Sequence, residues 1–186
     1  MDVSKSIIDN GHRNYSSLLC YKKAVVIYDL AYHFCARFID KKDRTYDQMV
    51  QAARSGKQNI VEGYTDASTS YEVALKLYNI ARGSLMELLE DYHDYLRTRN
   101  LRLWELGSKE NRAMRELGKR ELDSAYYLSL AESRSDETLA NMIIVLLHQE
   151  DVVLKSFIES EGRRFSAEGG FREKLLRIRL RERDKR

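Results

Sequence analysis

Two apolar patterns with helical spacing fill residues 45–100, and three glycines interrupt them. Gly56, Gly63 and Gly83 each cost a helix about 1 kcal/mol relative to alanine, so some contact must offset the loss. Gly56 and Gly63 are seven residues apart and share a helix face with alanines, which predicts close packing against a neighbouring helix. Gly83 lies opposite the main apolar face of its helix. It is therefore predicted to contact another copy of the chain.

Proline is absent from all 186 residues, and apolar side chains recur at three- and four-residue spacing over most of the chain. This pattern predicts an all-α fold, an up-down four-helix bundle with a long helical connection before its last helix. The first helix is expected over residues 19–39, with Tyr28 and Tyr32 on its apolar stripe. The last bundle helix is expected to start near Ser135.

The starts of the second and third helices are predicted from capping boxes. Thr45 is followed three residues later by Gln48, and Thr69 is followed by Glu72. In such a box the hydroxyl accepts a backbone N–H of the first turn, and the second side chain bonds back to the cap. The third helix is then expected to end near Thr98.

The chain is predicted to form two parts. Residues 1–161 are expected to form the bundle domain, with short helices in a connection over about 100–134. Residues 162–186 are expected to form a basic C-terminal suffix helix.

The sequence indicates a cytoplasmic protein with no membrane partner. The first residues contain no apolar stretch of the kind that a signal peptide needs, and the longest aliphatic run, residues 142–147, is too short to span a bilayer. Cys20 and Cys35 are fifteen residues apart on one predicted helix, so they cannot form a disulfide with each other. Both are interpreted as small core residues.

The formal net charge of +3 conceals an uneven distribution. Residues 101–120 carry six basic and three acidic side chains, residues 121–161 carry two and nine, and residues 162–186 carry ten and four. The basic tail is a candidate nucleic-acid surface, because phosphate neutralisation is additive and needs no base-reading motif. An acidic protein, an acidic face of a neighbouring subunit and a membrane surface remain alternatives at this point. The predicted nucleic-acid-binding residues are Arg163, Arg164, Arg172, Lys174, Arg177, Arg179, Arg181 and Arg183.

The sequence predicts neither an enzyme nor a cofactor site. Helical bundles can hold two metal ions between paired Glu-x-x-His motifs, but only one such pair, Glu90 and His93, is present. The cysteines have no histidine and acid that the sequence places beside them, and the glycines do not form a phosphate-binding loop. We therefore expect no metal, no cofactor and no catalytic residue.

Four polar residues flank the small-residue faces of the second and third helices: Asn59, Glu62, Arg82 and Ser84. They are predicted to form an interhelical polar network at the edge of the core. The alternative is a site that orients an anionic ligand through Arg82.

The residues of the second and third helices resemble a bacterial four-helix bundle family first noted as open reading frames within intervening sequences of 23S ribosomal RNA. The long connection with Trp104 and the basic ending are similar to the branch with an extra C-terminal segment, the four helix bundle suffix type. The resemblance is carried by Asp47, Gln48, Met49, Ala52, Ala53, Ser55, Asn59, Ile60, Glu62, Gly63, Tyr71, Glu72, Ile80, Ala81, Arg82, Gly83, Ser84, Leu85, Glu87 and Leu88.

The resemblance implies an up-down bundle that assembles as a homo-oligomeric ring, with a pentamer as the expected form, and that has no enzymatic activity. A related branch is the accessory protein of diversity-generating retroelements. It binds nucleic acid and a reverse transcriptase through a basic surface. RNA, DNA, a reverse transcriptase and further copies of the chain are therefore the partners that the resemblance suggests.

The leading hypothesis is a non-enzymatic, oligomeric helical-bundle protein that binds RNA or DNA non-specifically through its basic surface and its C-terminal tail. The competing hypothesis is a structural assembly module whose basic tail docks on acidic subunit surfaces.

Overall fold

A computed structural model of the chain describes residues 14–168, 176 and 179–183. Within these residues the structure contains no β-strand, and the predicted all-α fold is confirmed. In this part of the chain a 3-10 turn, Tyr15–Ser17, precedes six α-helices, and residues 179–183 are helical as well. The helices are α1 (Leu19–Phe38), α2 (Arg44–Asp66), α3 (Tyr71–Thr98), α4 (Lys109–Arg120), α5 (Ser124–Ala131) and α6 (Asp136–Glu168).

The four long helices, α1, α2, α3 and α6, surround one apolar core. Both α1 and α3 pack against α2 and against α6. Helices α2 and α3 run antiparallel, because Ser55 lies beside Ser84 whereas Gly63, further along α2, lies beside the earlier Tyr78 of α3. Helices α3 and α6 are antiparallel as well, because Tyr78 packs against Phe157 whereas the later Tyr95 bonds to the earlier Asp136.

Helix α2 starts from an aspartate rather than from the predicted threonine. Asp43 accepts a hydrogen bond from the backbone N–H of Thr45 at 2.9 Å, and Thr45 already lies in the first turn. A carboxylate at this position satisfies an otherwise unpaired N–H and interacts favourably with the positive end of the helix dipole. The predicted capping box of Thr45 and Gln48 is therefore wrong.

The residue that caps α3 is Ser70, one position after the predicted Thr69. The Ser70 hydroxyl accepts the Val73 N–H at 3.4 Å, and the Thr69 hydroxyl instead donates to the carbonyl of Asp66 at 3.0 Å. Thr69 thus closes the turn after α2, which leaves the cap to the next residue. The predicted end of the helix at Thr98 is confirmed.

Helix α1 buries a different face from the predicted stripe. Phe34 and Lys23 are buried, whereas Tyr32 is 52% exposed and Tyr28 is half-buried. Tyrosine counts as apolar in a periodic pattern, but its hydroxyl favours a position that reaches water. The buried face of α1 is therefore rotated from the predicted one, and it includes a lysine.

Aromatic rings join α1 to α3 inside the core. Phe34 packs edge-on against Tyr92, with ring centroids 5.0 Å apart, and against Tyr95 at 4.8 Å. Near the two ends of α1, Cys20 and Cys35 are buried and unpaired, as predicted. Burial raises the pKa of each thiol to about 12.

The connection between α3 and α6 contains two short helices, as predicted, and both lie on the outside of the core. Helix α4 packs on α6 and α5 packs on α1. The segment before α4 is held by Asn141, which accepts the Trp104 N–H at 2.7 Å and donates to the Arg102 carbonyl at 2.8 Å. The end of α5 is fixed by Arg37, which donates to the carbonyl of Ala131 at 2.7 Å.

Gly56 and Gly63 lie in the interface between α2 and α3. A Cβ added at Gly56 would lie 2.5 Å from Cδ2 of Leu85, and one at Gly63 would lie 2.6 Å from Cε1 of Tyr78. The Gly63 position is the stricter one, because the added carbon would also lie 3.1 Å from the carbonyl oxygen of Ala74. A backbone atom cannot rotate away as a leucine methyl group can.

We expect Gly63→Ala to lower the free energy of unfolding by about 1–2 kcal/mol, since overpacking outweighs the gain in helix propensity. Gly162→Ala, on α6, is the matched control. An added Cβ there meets nothing within 4 Å, so this variant should be more stable by up to about 1 kcal/mol. Urea unfolding followed by circular dichroism measures both, and equal effects of the two substitutions would contradict the packing role of Gly63.

Candidate functional site

Helix α6 continues through the predicted domain boundary at residues 161 and 162 and ends at Glu168. Arg163 is exposed on this segment, but Arg164 is half-buried. The Arg164 Nε donates to the Tyr71 hydroxyl at 2.7 Å, and its guanidinium forms an ion pair with Glu161 at 3.3 Å. Arg164 therefore joins the end of α6 to the start of α3, whereas Arg163 faces solvent.

The structure places the remaining predicted cations of the tail only in part. Arg179, Arg181 and Arg183 are exposed on helical backbone, while Arg172, Lys174 and Arg177 lie outside the described residues. The described part of the tail also carries Leu176 and Leu180, which are 56% and 40% exposed and four residues apart. Arg183 is three residues after Leu180, so arginine and leucine side chains share this part of the helix rather than lying on opposite sides.

A second set of exposed cations lies on α4. They follow the helix over its whole length, and one of them, Lys119, forms an exposed ion pair with Glu116 at 2.6 Å. Exposed pairs of this kind contribute little and dissociate easily in salt. The exposed cations of α4 are Lys109, Arg112, Arg115, Lys119 and Arg120.

The four residues of the predicted polar network do not all meet. Asn59 donates to Ser55 within α2, and the Ser55 hydroxyl lies 3.0 Å from that of Ser84 on α3. Arg82 points to α6 instead, where its Nε lies 2.5 Å from Oδ1 of Asp151. Glu62 is exposed. The structure therefore joins Asn59 to Ser84 through Ser55 and separates both from Arg82 and Glu62.

Gly83 lies on the outer side of α3, where it is exposed and surrounded by open space. Val73 and Ile80 on the same helix are 44% and 43% exposed, and Leu77 between them is half-buried. These four residues form a narrow strip along the helix, which we call the α3 strip.

A buried polar cluster that the sequence did not predict lies where α1, α4 and α6 meet. The Lys23 Nζ donates to the carbonyl of Gly118 at 2.5 Å and to Oε1 of Gln149 at 3.3 Å. Gln149 in turn donates to the carbonyl of Arg115 at 2.7 Å. The carbonyl groups at the C-terminal end of α4 are thereby paired with side chains of α1 and α6, which attaches this outer helix to the core.

Glu150 lies beside this cluster and is fully buried. In the described part of the chain neither of its carboxyl oxygens has a hydrogen-bond partner. Burial raises the pKa of Glu150 well above its ordinary value, the Lys23 ammonium opposes the shift, and Asp151 adds to it. Burial also lowers the pKa of Lys23. The neutral form of this carboxyl group is therefore favoured to a higher pH than that of an exposed glutamate.

A pocket of about 910 Å³ opens between α4 and α6. Its walls come from the start of α1, the segment before α4, one face of α4 and α6, together with His93 of α3. The rings of His93 and His148 lie 6.3 Å apart at its edge. Among the described residues no three histidine, cysteine, aspartate or glutamate side chains are grouped closely enough to hold a metal ion.

The sequence contained a signal for the Lys23 cluster, but the predicted stripe of α1 hid it. Lys23 lies three residues after Cys20 and four before Ile27, at the spacing of a buried helix face. Glu150 lies four residues after the buried Leu146 and four before the buried Leu154, an apolar helix face that is an unusual place for a carboxyl group. The pocket had no such signal, because its walls come from segments far apart in the chain.

Comparison of the chain with models of known protein families, with curated proteins and with solved structures found no match. The family resemblance of α2 and α3 therefore stays a prediction. Among the described residues no helix combines the length and the apolar character needed to span a bilayer.

The buried Glu150 predicts a stability that falls as pH rises. Because its pKa is raised in the folded state, the unfolded chain loses this proton first between the ordinary and the raised value. Each pH unit in that range can cost up to about 1.4 kcal/mol of unfolding free energy. Glu150→Gln should remove this part of the slope, and urea midpoints between pH 4 and 9 measure it.

Glu159→Gln, the same substitution at an exposed position on the same helix, is the control. It should leave the slope of the original protein in place. If Glu150→Gln also kept that slope, Glu150 would be ionised in the folded protein and the assignment would be wrong.

Proposed function

We propose that this chain is a cytoplasmic, non-enzymatic protein that assembles into an oligomer and binds RNA or DNA non-specifically. The observation that carries the proposal is the exposure of arginine and lysine side chains on α4 and on the described part of the tail. Phosphate groups bind such side chains additively, with release of counterions. No sequence-reading motif accompanies these side chains, so the proposed binding is electrostatic.

The two cationic surfaces contribute differently to this proposal. On α4 the cations alternate with Glu110 and Glu116, which weakens the local field. In the described part of the tail, Arg179, Arg181 and Arg183 are interrupted only by Leu180 and Glu182. The tail is therefore the stronger phosphate-binding surface in this proposal, and α4 adds to it.

The proposed oligomer forms through the α3 strip. An exposed apolar strip beside a glycine lets a second helix approach closely, and burying apolar surface favours association by about 25 cal/mol per Å². A ring of five copies, and a reverse transcriptase as a protein partner, are what the family resemblance adds to this proposal.

The second candidate function is a structural assembly module in which the basic tail docks on an acidic surface of a subunit. The exposed Leu176 and Leu180 favour it, because an apolar face on a helix is usually covered. In this case removal of residues 169–186 changes the oligomer mass in light scattering and leaves nucleic-acid binding negligible. In the leading proposal the same truncation weakens nucleic-acid binding.

Replacing Arg163, Arg179 and Arg181 together by alanine should lower the affinity for duplex DNA. The slope of log K against log salt should become shallower by up to about 2.7, since each lost phosphate contact removes about 0.9. Fluorescence anisotropy of a labelled duplex at a series of salt concentrations measures both quantities.

The matched control replaces the same three arginines by lysine, which keeps the charge and should keep the slope. Arg164 is left unchanged in both variants because it holds α6 to Tyr71. An alanine variant with the affinity and slope of the original protein would exclude the tail as the binding surface.

Gly83→Leu and Ile80→Glu should each reduce the oligomer mass while the helical content stays the same. The first fills the space that a neighbouring helix needs, and the second places a charge in an apolar contact. Light scattering and circular dichroism measure the two properties. Tyr126→Glu, at a side chain of α5 that is 42% exposed, is the control. A loss of helix with unchanged mass would show that the α3 strip belongs to the monomer's own packing.

A further inference from the structure

The pocket between α4 and α6 has the size and the lining of a small-molecule site. Its volume of about 910 Å³ falls within the usual range for such sites. It extends along α6 from Ile144 to Val153, nine residues further on, or about 14 Å at 1.5 Å per residue. It is thus long as well as large.

Most of the pocket surface is apolar. Its aliphatic side chains come from three separate segments, and two of them are unusually exposed: Leu106 is 84% exposed and Val152 is 67% exposed. Trp104 is the one indole in the sequence and lies on the same wall. Aliphatic side chains outnumber the aromatic rings of Trp104, His93 and His148 in this lining, which favours an alkyl chain as the apolar part of a ligand. The aliphatic lining consists of Leu19, Leu103, Leu106, Ile144, Val145, Val152 and Val153.

The polar groups of the pocket come mainly from one side of α4 and from the Lys23 cluster. Asn111, Arg115 and Lys119 are spaced four residues apart on α4, so they share a face, and all three line the pocket. The Asn111 amide oxygen is buried and, in the described part of the chain, has no hydrogen-bond partner. An amide carries donors as well as an acceptor, so this side chain can meet either kind of ligand atom.

The pocket lining carries three cations, Lys23, Arg115 and Lys119, and two carboxylates, Asp151 and Glu105. Among the described residues neither Lys23 nor Arg115 has a carboxylate within 4 Å. The Lys23 ammonium uses two hydrogen bonds to neutral acceptors, which leaves one of its three N–H groups for a further partner. The negative charge of Asp151 on the opposite wall is already paired with Arg82.

From this arrangement we infer that the pocket binds a small amphiphilic anion. The alkyl chain lies against Trp104 and the aliphatic wall along α6. The carboxylate or phosphate head group lies at Lys23 and Arg115, beside the amide of Asn111. The inference does not rest on nucleic-acid binding, although Arg115 and Lys119 belong both to the pocket lining and to the exposed cations of α4.

The binding is tested with decanoate, decyl phosphate and decanol, each below the concentration at which it self-associates. Trp104 reports occupancy directly, since its emission is the only tryptophan signal of the protein. Decanoate or decyl phosphate should give a saturable shift of that emission, and decanol should bind at least about tenfold more weakly because it lacks the charge. Comparison of the two anions identifies which head group the site prefers.

Arg115→Ala tests the head-group position. It should weaken binding of the preferred anion about tenfold and change decanol binding little, because a charge-assisted hydrogen bond is lost. Arg112→Ala is the matched control, one turn earlier on α4, exposed, and outside the pocket lining. It should leave anion binding within about twofold, as expected for a solvated surface charge.

Three outcomes would overturn the inference. The first is the lack of a saturable Trp104 response to either anion, and the second is decanol binding as tight as that of the anions. The third is an equal effect of Arg115→Ala and Arg112→Ala, which would reduce the preference to the net charge of the surface. A rise in melting temperature with the preferred anion, absent with decanol, provides a second measurement.

Discussion

The fold depends on the close approach of α2 and α3, which Gly63 makes possible. The missing Cβ leaves room for the ring of Tyr78, which also packs against Phe157 of α6 with ring centroids 5.0 Å apart. One glycine on α2 thereby positions a side chain of α3 that in turn positions α6. Farther along the interface, Leu85 occupies the space left by Gly56. These contacts fix the positions of α2, α3 and α6 relative to one another, because a densely packed interior allows few other arrangements of the same side chains.

The outer layer is held by polar contacts instead. Lys23 and Gln149 hold α4 in place by donating hydrogen bonds to its Gly118 and Arg115 carbonyl groups. Arg37 holds α5 in the same way. Such bonds contribute only modestly to stability when made, but leaving their buried partners unpaired is costly. They therefore specify where the short helices lie more than they stabilise the whole chain. The pocket forms on the side of α4 where this polar attachment replaces tight apolar packing.

Much of the fold was predictable because helical periodicity is a local property. The all-α fold, the end of α3 at Thr98 and the short helices of the connection were correctly predicted from composition and spacing. The errors have local causes as well: Asp43 caps α2 two residues before Thr45 by accepting the Thr45 N–H, and the tyrosines of α1 displaced the predicted stripe toward the surface. The site was less predictable. Lys23 and Trp104 are far apart in the sequence, and both line the pocket only because α1, α6 and the segment before α4 pack together.

The two free cysteines lie near opposite ends of α1, so the reactivity of each thiol reports on a different region of the core. Cys20 lies near the Lys23 cluster, and Cys35 lies near the rings of Tyr92 and Phe34. With each pKa near 12, almost no thiolate exists at neutral pH, and neither sulfur is accessible to a reagent in the closed structure. Alkylation of each thiol must therefore wait for an opening of its own region. The rates at the two positions measure whether the attachment of the outer helix and the aromatic core open together or as separate cooperative units.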